Sequence, residues 1–542
     1  MATLNFNRRR FLQYMASGAL VAALPESAFT QDYKLNQTPN SAFKADVEIA
    51  LTAQVTNIPI LTGANTRVFK YTGKLLKGPA NTLKELPSYL GPVLNFEQGQ
   101  KVRIFFYNQI PEACVTHWHG MHVPQIMDGH PMYAIDQGAQ YVYEFEVRNP
   151  AGTNWYHSHT HEVTARQVYQ GLAGLITITD EAERKLELPK DEYDIPLIIQ
   201  DRTFTADNQL HYALSMHQRM QGFLGDTILA NGQPNPAIPV KTRAYRLRIL
   251  NGSNARIYKL GWSDDSPLTA IGTDGGLLEK PQNFPYVMLA PGERLELWAD
   301  FSGRKPGSEL ALQTLPYQGF SMDMGRGGMR GGRGGMGMME DESAQGKEDT
   351  IVRFAISEQV SDSPKLPDTL VPMHRFTEKD VTNPDRVVPI TIGMHRMTFN
   401  LNNRTFDMLD YTNQEKIPVN TLQRIRISNA NPGMGGGMGG GMRGGRGGGM
   451  MGMGMMMAQP HPIHLHGQQF QILSRKPAYG DNTYAAIKDG FINNGWKDTV
   501  LVMPGEEVEI IKPFTDYTGL FLYHCHNLEH EDMGMMRNFF VS

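Results

Sequence analysis

Ten of the seventeen histidines fall in four short stretches: His117-Trp118-His119-Gly120, His157-Ser158-His159, His461-Pro462-Ile463-His464-Leu465-His466-Gly467, and His524-Cys525-His526 running on through His530 to Met535. One His-x-His is more often structural than metal-binding. Four of them in two pairs, one enclosing a cysteine, form a ligand pattern. On a β-strand alternate side chains share a face, so each His-x-His aims two imidazoles at one place. In the last stretch His524 and His526 face one way and Cys525 the other. One strand can therefore serve two metal sites and join them through covalent bonds. Ligand softness selects the metal: a thiolate, two imidazoles and a long axial thioether make a blue-copper site, and imidazole clusters also suit copper. Cys525, His461 and His530 fit that site, with Met535 axial. Zinc has no redox chemistry, which would leave such a connection without purpose.

The elements that position these residues read as strands. Lys101–Tyr107, Tyr141–Val147, Leu172–Thr179, Tyr193–Gln200, Tyr245–Leu250 and Glu507–Lys512 are short runs rich in Val, Ile, Phe and Tyr, punctuated by Gly, Pro, Asn and Asp. No long helical periodicity appears. A chain of 542 residues holds three or four domains, and the pattern predicts successive β-sandwiches divided near 180–190 and again between about 356 and 388. Hydrophobic content of 40% and a net charge of −4 describe a globular protein, not a polyelectrolyte drawn to nucleic acid or acidic lipid. The start, Asn7-Arg8-Arg9-Arg10-Phe11-Leu12-Gln13 followed by an apolar run to Leu24, fits a twin-arginine export signal, and that run is too short for a stable membrane span. A periplasmic protein without membrane insertion is expected. The two cysteines, Cys114 and Cys525, are not expected to pair, because Cys525 is needed as a thiolate and Cys114 reads as a small buried residue.

These motifs closely resemble the multicopper oxidase family, over nearly the whole mature chain. Within it they look most like the bacterial copper-efflux oxidases, through His524-Cys525-His526-Asn527-Leu528-Glu529-His530-Glu531-Asp532-Met533-Gly534-Met535-Met536 and Trp155-Tyr156-His157-Ser158-His159-Thr160-His161. The resemblance implies an all-β fold of three consecutive cupredoxin-like Greek-key sandwiches: residues 45–180, 190–356 and 388–542, behind a signal at 1–30. It implies four copper ions: one type 1, one type 2 held by His117 and His464, and a type 3 pair held by His119, His157, His159, His466, His524 and His526. The middle domain then supplies no ligand and reads as scaffold. Reducing O2 to water also takes four protons, and Asp128 and Glu531 match carboxylates that family members use as proton relays. His122, His130 and His161 match no ligand position, and His211, His217, His374 and His395 carry no pattern.

Two segments, Met322 to Met339 and Met434 to Met457, consist almost wholly of Gly, Met and Arg and hold fifteen of the thirty-one methionines. Such composition cannot repay the entropy of ordering and predicts loops. Thioethers favour Cu(I), so the expectation is a monomeric oxidase that couples Cu(I) oxidation to O2 reduction in copper tolerance. The alternatives are a laccase-like oxidase of phenols and aromatic amines, or a non-catalytic copper store. The Arg-Gly-Gly content suggests nucleic-acid binding least, given export and the regular methionines.

Overall fold

A computed structural model of the protein describes residues 35–318, 345–395, 398–429, 459–477 and 482–542. The signal region and both methionine-rich segments lie outside them. The expected strands are present within two residues at each end, as Lys101–Asn108, Gln140–Glu146, Ala173–Thr179, Asp194–Arg202, Ala244–Asn251 and Glu507–Phe514. They form six sheets in three successive pairs: four and five strands, then seven and five, then six and five.

Alternation decides which face each strand buries. Along Val47–Ile58 the side chains of Val47, Ile49, Leu51 and Ala53 are buried and their neighbours half-exposed, as in a sheet with one face on a core. This strand pairs antiparallel with Thr66–Lys77 and parallel with Lys101–Asn108, which requires a crossover of the Greek-key kind. Ala244–Asn251 departs from that rule, because both its faces are buried. Tyr245, Leu247 and Ile249 enter the middle core. Arg246 and Arg248 lie on the other face, paired with Glu296, Glu183 and Asp194. Glu183 belongs to a short helix after the first sandwich, so this charged face is an interior junction.

The short helices were not legible in the sequence, and two of them dock the outer sandwiches. Thr164–Tyr169 follows the second histidine motif and Leu528–Asp532 lies within the fourth, just after His524-Cys525-His526. Ala165, Val168 and Leu528 share a small apolar cluster. The Asp532 carboxylate accepts from the amides of Thr164 and Ala165 at 2.9 and 3.0 Å, which satisfies two free N–H groups at the start of the other helix.

Candidate metal centres

Strand register brings the four motifs together. In the first sandwich Thr116–His117 pairs with Gly152–Ser158 so that His117 stands opposite His157. In the third, His461–Leu465 pairs with Gly519–Cys525 so that His464 stands opposite His524 and Ile463 opposite Cys525. The eight histidines of the cluster, His117, His119, His157, His159, His464, His466, His524 and His526, are all buried. His117 stacks on His466 with ring centroids 3.8 Å apart, and His119 on His464 at 3.7 Å. Each of those stacks joins the first sandwich to the third. His526 lies 5.0 Å from His119 and 5.4 Å from His157 between centroids.

The ring nitrogens are sorted. Nδ1 of His117 donates to the Asp128 carbonyl at 2.6 Å, Nδ1 of His157 to the Ser158 carbonyl at 2.7 Å, and Nδ1 of His464 to the Asp498 carbonyl at 2.9 Å. Nδ1 of His466 donates to Asp128 Oδ2 at 2.7 Å, and Nδ1 of His524 to the Cys525 carbonyl at 3.1 Å. Since a carbonyl only accepts, those Nδ1 atoms carry the proton and each Nε2 presents a lone pair. The Nε2 atoms of His117, His157 and His464 are buried without a partner, as are Nδ1 of His119 and both ring nitrogens of His526. Buried polar atoms are seldom left so. Three more Nε2 atoms crowd together, His524 lying 3.2 Å from both His159 and His466. Burial pushes His117, His119, His157, His159, His464, His466 and His526 below their ordinary range, His157 to about 3, so these seven are neutral and ready as ligands. Partnerless lone pairs converging from several sides fit a set of metal ions.

On the opposite face of the same strand, Cys525 Sγ lies 3.5 Å from His461 Nδ1 and 3.7 Å from His530 Nδ1. His530 Nε2 donates to the Met220 carbonyl at 2.9 Å, which leaves its Nδ1 to face the sulfur. Met535 is buried beside them, its amide bonded to the His530 carbonyl and its carbonyl to the Cys525 amide, each at 3.0 Å. The Asn527 amide points at Cys525 Sγ from 3.4 Å. Burial pushes the Cys525 thiol up, and a bound cation reverses that. This donor set of one sulfur and two imidazoles suits copper. Both cysteines are free and buried.

The two carboxylates singled out in the sequence are both buried against cluster histidines. Asp128 lies between His466 and His117, its Oδ1 without a hydrogen bond, and burial pushes its carboxyl up despite Lys512 nearby. Glu531 Oε2 comes within 3.0 Å of His524 Nδ1 but makes no aligned hydrogen bond. His122 instead pairs with Asp516, His130 with Asn538, and His161 packs on Phe406. Sequence reasoning missed Asp498, whose Oδ1 accepts from His119 Nε2 at 3.1 Å, and Arg294 behind it. The signal was a charged pair, Lys497-Asp498, immediately ahead of the strand run Thr499–Val502.

Three cupredoxin-like sandwiches enclosing an imidazole cluster tied to a cysteine site define a redox metalloprotein. Sequence profiles described as multicopper oxidase match residues 81–183 and 378–542. A multicopper oxidase of Staphylococcus aureus is 30% identical, with 86% of this chain and 87% of that protein aligned. A laccase of Bacillus stratosphericus is 29% identical, over 82% and 88%. The crystal structure of the McoA multicopper oxidase from Aquifex aeolicus superposes with a TM-score of 0.72 at 31% identity, covering 92% of this chain and 97% of that one. The chain belongs to the multicopper oxidase family. It is a copper-dependent oxidase that takes electrons from a reducing substrate and passes them to O2.

Proposed function

We propose that this oxidase acts on Cu(I), converting four Cu(I) to Cu(II) for each O2 reduced with four protons to two waters, and that it does so in the periplasm after twin-arginine export. Cys525, His461, His530 and Met535 would hold a type 1 copper. His117 and His464 would hold the type 2 ion, with His119, His157, His159, His466, His524 and His526 around the type 3 pair. Bound copper supplies the redox couples and the reduction of O2. The remaining work falls on side chains. The observation that carries the reading is the two-sided strand: Cys525 faces one donor set while its bonded neighbours His524 and His526 face the other, giving a covalent route between them. Asp128 Oδ1, buried and unbonded beside His466, is the atom placed to take and release a proton.

The choice of Cu(I) rests on where the chain leads. Gln345 and Gln459 line one small pocket with Pro462 and Asn527, next to the ligands His461 and Cys525. Gln345 follows Met339 by six positions and Gln459 follows Met457 by two. Each thioether-rich segment thus ends, in sequence, a few residues before a glutamine that lines this pocket. The laccase-like reading is favoured by the likeness to the laccase of Bacillus stratosphericus.

Oxygen uptake by the copper-loaded protein, measured in parallel with Cu(I) and with a phenol, separates the two. Removal of 434–457 should lower kcat/KM for Cu(I) and leave or raise that for the phenol. Full Cu(I) efficiency after the deletion sinks the collecting role. Copper uptake without steady O2 consumption sinks the enzyme in favour of a store.

A further inference from the structure

The middle sandwich supplies no imidazole, yet it reaches the cluster. Arg294 opens its strand Arg294–Asp300 and is wholly buried. Its Nη1 donates to Asp498 Oδ1 at 2.7 Å and its Nη2 to Asp498 Oδ2, a two-pronged contact with the third sandwich. Its Nε donates to the Thr153 carbonyl of the first sandwich at 3.1 Å. Nη1 and Nη2 also reach the carbonyls of Gly292 and Asp274, at 2.9 and 3.0 Å. Asp274 braces the far side: its Oδ1 accepts from the Arg294 amide at 2.8 Å, and its Oδ2 lies 3.0 Å from Lys497 Nζ. One guanidinium therefore touches all three sandwiches.

Asp498 is where this grip meets the histidines. Its carboxylate accepts from His119 Nε2 at 3.1 Å, and its carbonyl accepts from His464 Nδ1 at 2.9 Å. One residue thereby fixes opposite tautomers on two stacked rings. His119 is left with a free Nδ1 and His464 with a free Nε2, and both of those atoms are buried without partners. Thr499 Oγ1 sits between the two protonated nitrogens, 3.3 and 3.2 Å away, and donates to Asp498 Oδ1 at 3.0 Å. The backbone beside His119 leaves room for the arrangement. Gly120 has a φ of +89°, and a Cβ there would lie 2.6 Å from Arg294 Nη2 and 2.9 Å from Asp498 Oδ2.

We infer that Arg294 is a positioning residue for the imidazole cluster: by fixing Asp498 across the junction of the three sandwiches it sets the ring orientations of His119 and His464. The inference rests on the copper assignment above. A lysine cannot replace it, because a point charge lacks the fork that grips both carboxylate oxygens. Partners that orient metal-binding histidines are worth about 10–100-fold in metal affinity.

The test uses the full chain, loaded with copper under nitrogen, in wild type, Arg294→Lys, Arg294→Met and the double variant Arg294→Met/Asp498→Asn. The double variant leaves no unpaired buried charge and so guards against a failure to fold. Three readouts are taken: copper per chain, the visible absorption of the Cys525 site, and the electron paramagnetic resonance of the copper at His117 and His464. The expected result is a selective defect. Copper affinity of the cluster falls about 10–100-fold in Arg294→Met and in the double variant, the resonance from the His464 centre changes, the Cys525 absorption stays, and Arg294→Lys lies between. A cluster like the wild type in these variants overturns the inference. So does parallel loss of the Cys525 absorption, which would make Arg294 a stabilising residue only. A wild-type chain with no such absorption would overturn the copper assignment and this inference with it, a result distinct from any variant effect.

Discussion

Glu529 tests whether the helix that carries His530 is held by polar contacts from the middle sandwich. Its Oε1 accepts from Tyr212 Oη and from Asn254 Nδ2, each at 2.8 Å, and its Oε2 from the Phe223 amide at 3.0 Å. Tyr212 is half-buried and can turn to water, but Asn254 and Phe223 cannot. Glu529→Ala therefore strands two buried donors and removes the packing of the side chain. At about 1–3 kcal/mol for each donor, the helix Leu528–Asp532 should open more easily by about 3–5 kcal/mol. That corresponds to about 10²–10⁴ in the equilibrium for local opening. Glu529→Gln keeps one acceptor for Tyr212 and Asn254 and sets an amide against the Phe223 amide, so it should cost about 1–3 kcal/mol. Hydrogen exchange of apo-protein peptides spanning the helix reads this directly. Protection should fall steeply for Ala and modestly for Gln, while the strand Val47–Ile58 is unaffected. Equal exchange in wild type and Glu529→Ala would refute the reasoning. So would uniform loss across all three sandwiches, since that is global unfolding.

The other predictions concern the cluster itself. Asp128→Asn keeps an acceptor for His466 Nδ1 but cannot take up a proton, so kcat should fall about 10²-fold or more with copper content unchanged; undiminished turnover removes Asp128 from proton delivery. Gly129 has a φ of +85°, and a Cβ there would lie 2.2 Å from the Thr116 carbonyl and 2.6 Å from His117 Cα, so Gly129→Ala should displace His117 and deplete the cluster before the Cys525 site, as metal analysis would show. Acid should weaken the apo-protein. Burial holds twelve imidazoles below their ordinary 6.5, His157 at about 3 and His130 and His530 at about 4. The unfolded chain protonates first, so the contribution of these groups is intact above about pH 6.5 and is lost as pH falls toward 4. Asp128, Glu293, Glu529 and Asp532 are raised by burial and pull the other way, but they are fewer. A urea midpoint of the apo-protein that does not drop between pH 7 and pH 5 would contradict this balance.

What could be read in the sequence was what repeats locally. Runs rich in Val, Ile, Phe and Tyr between Gly, Pro, Asn and Asp located the strands, and His-x-His spacing located most of the cluster, because alternate residues on a strand share a face. His524-Cys525-His526 was legible for the same reason: three consecutive residues on one strand dictate two opposed sites. The groups that orient the ligands obey no such spacing. His119 meets Asp498 across 379 positions, and His466 meets Asp128 across 338. Asp128 was found only because it matched a family pattern, and Asp498 was not found at all. Arg294 was further still from notice. It lies in the domain whose lack of ligand motifs made it look like scaffold, and its function there depends on a fork of donors that composition cannot display. The middle sandwich is thus part of the metal site without contributing a ligand. It approaches the cysteine site as well, through the Met220 carbonyl that fixes the His530 ring. Since each outer sandwich brings only part of the cluster, the geometry of the site depends on the docking of all three, and buried polar contacts at those junctions are where it can be lost by a single substitution.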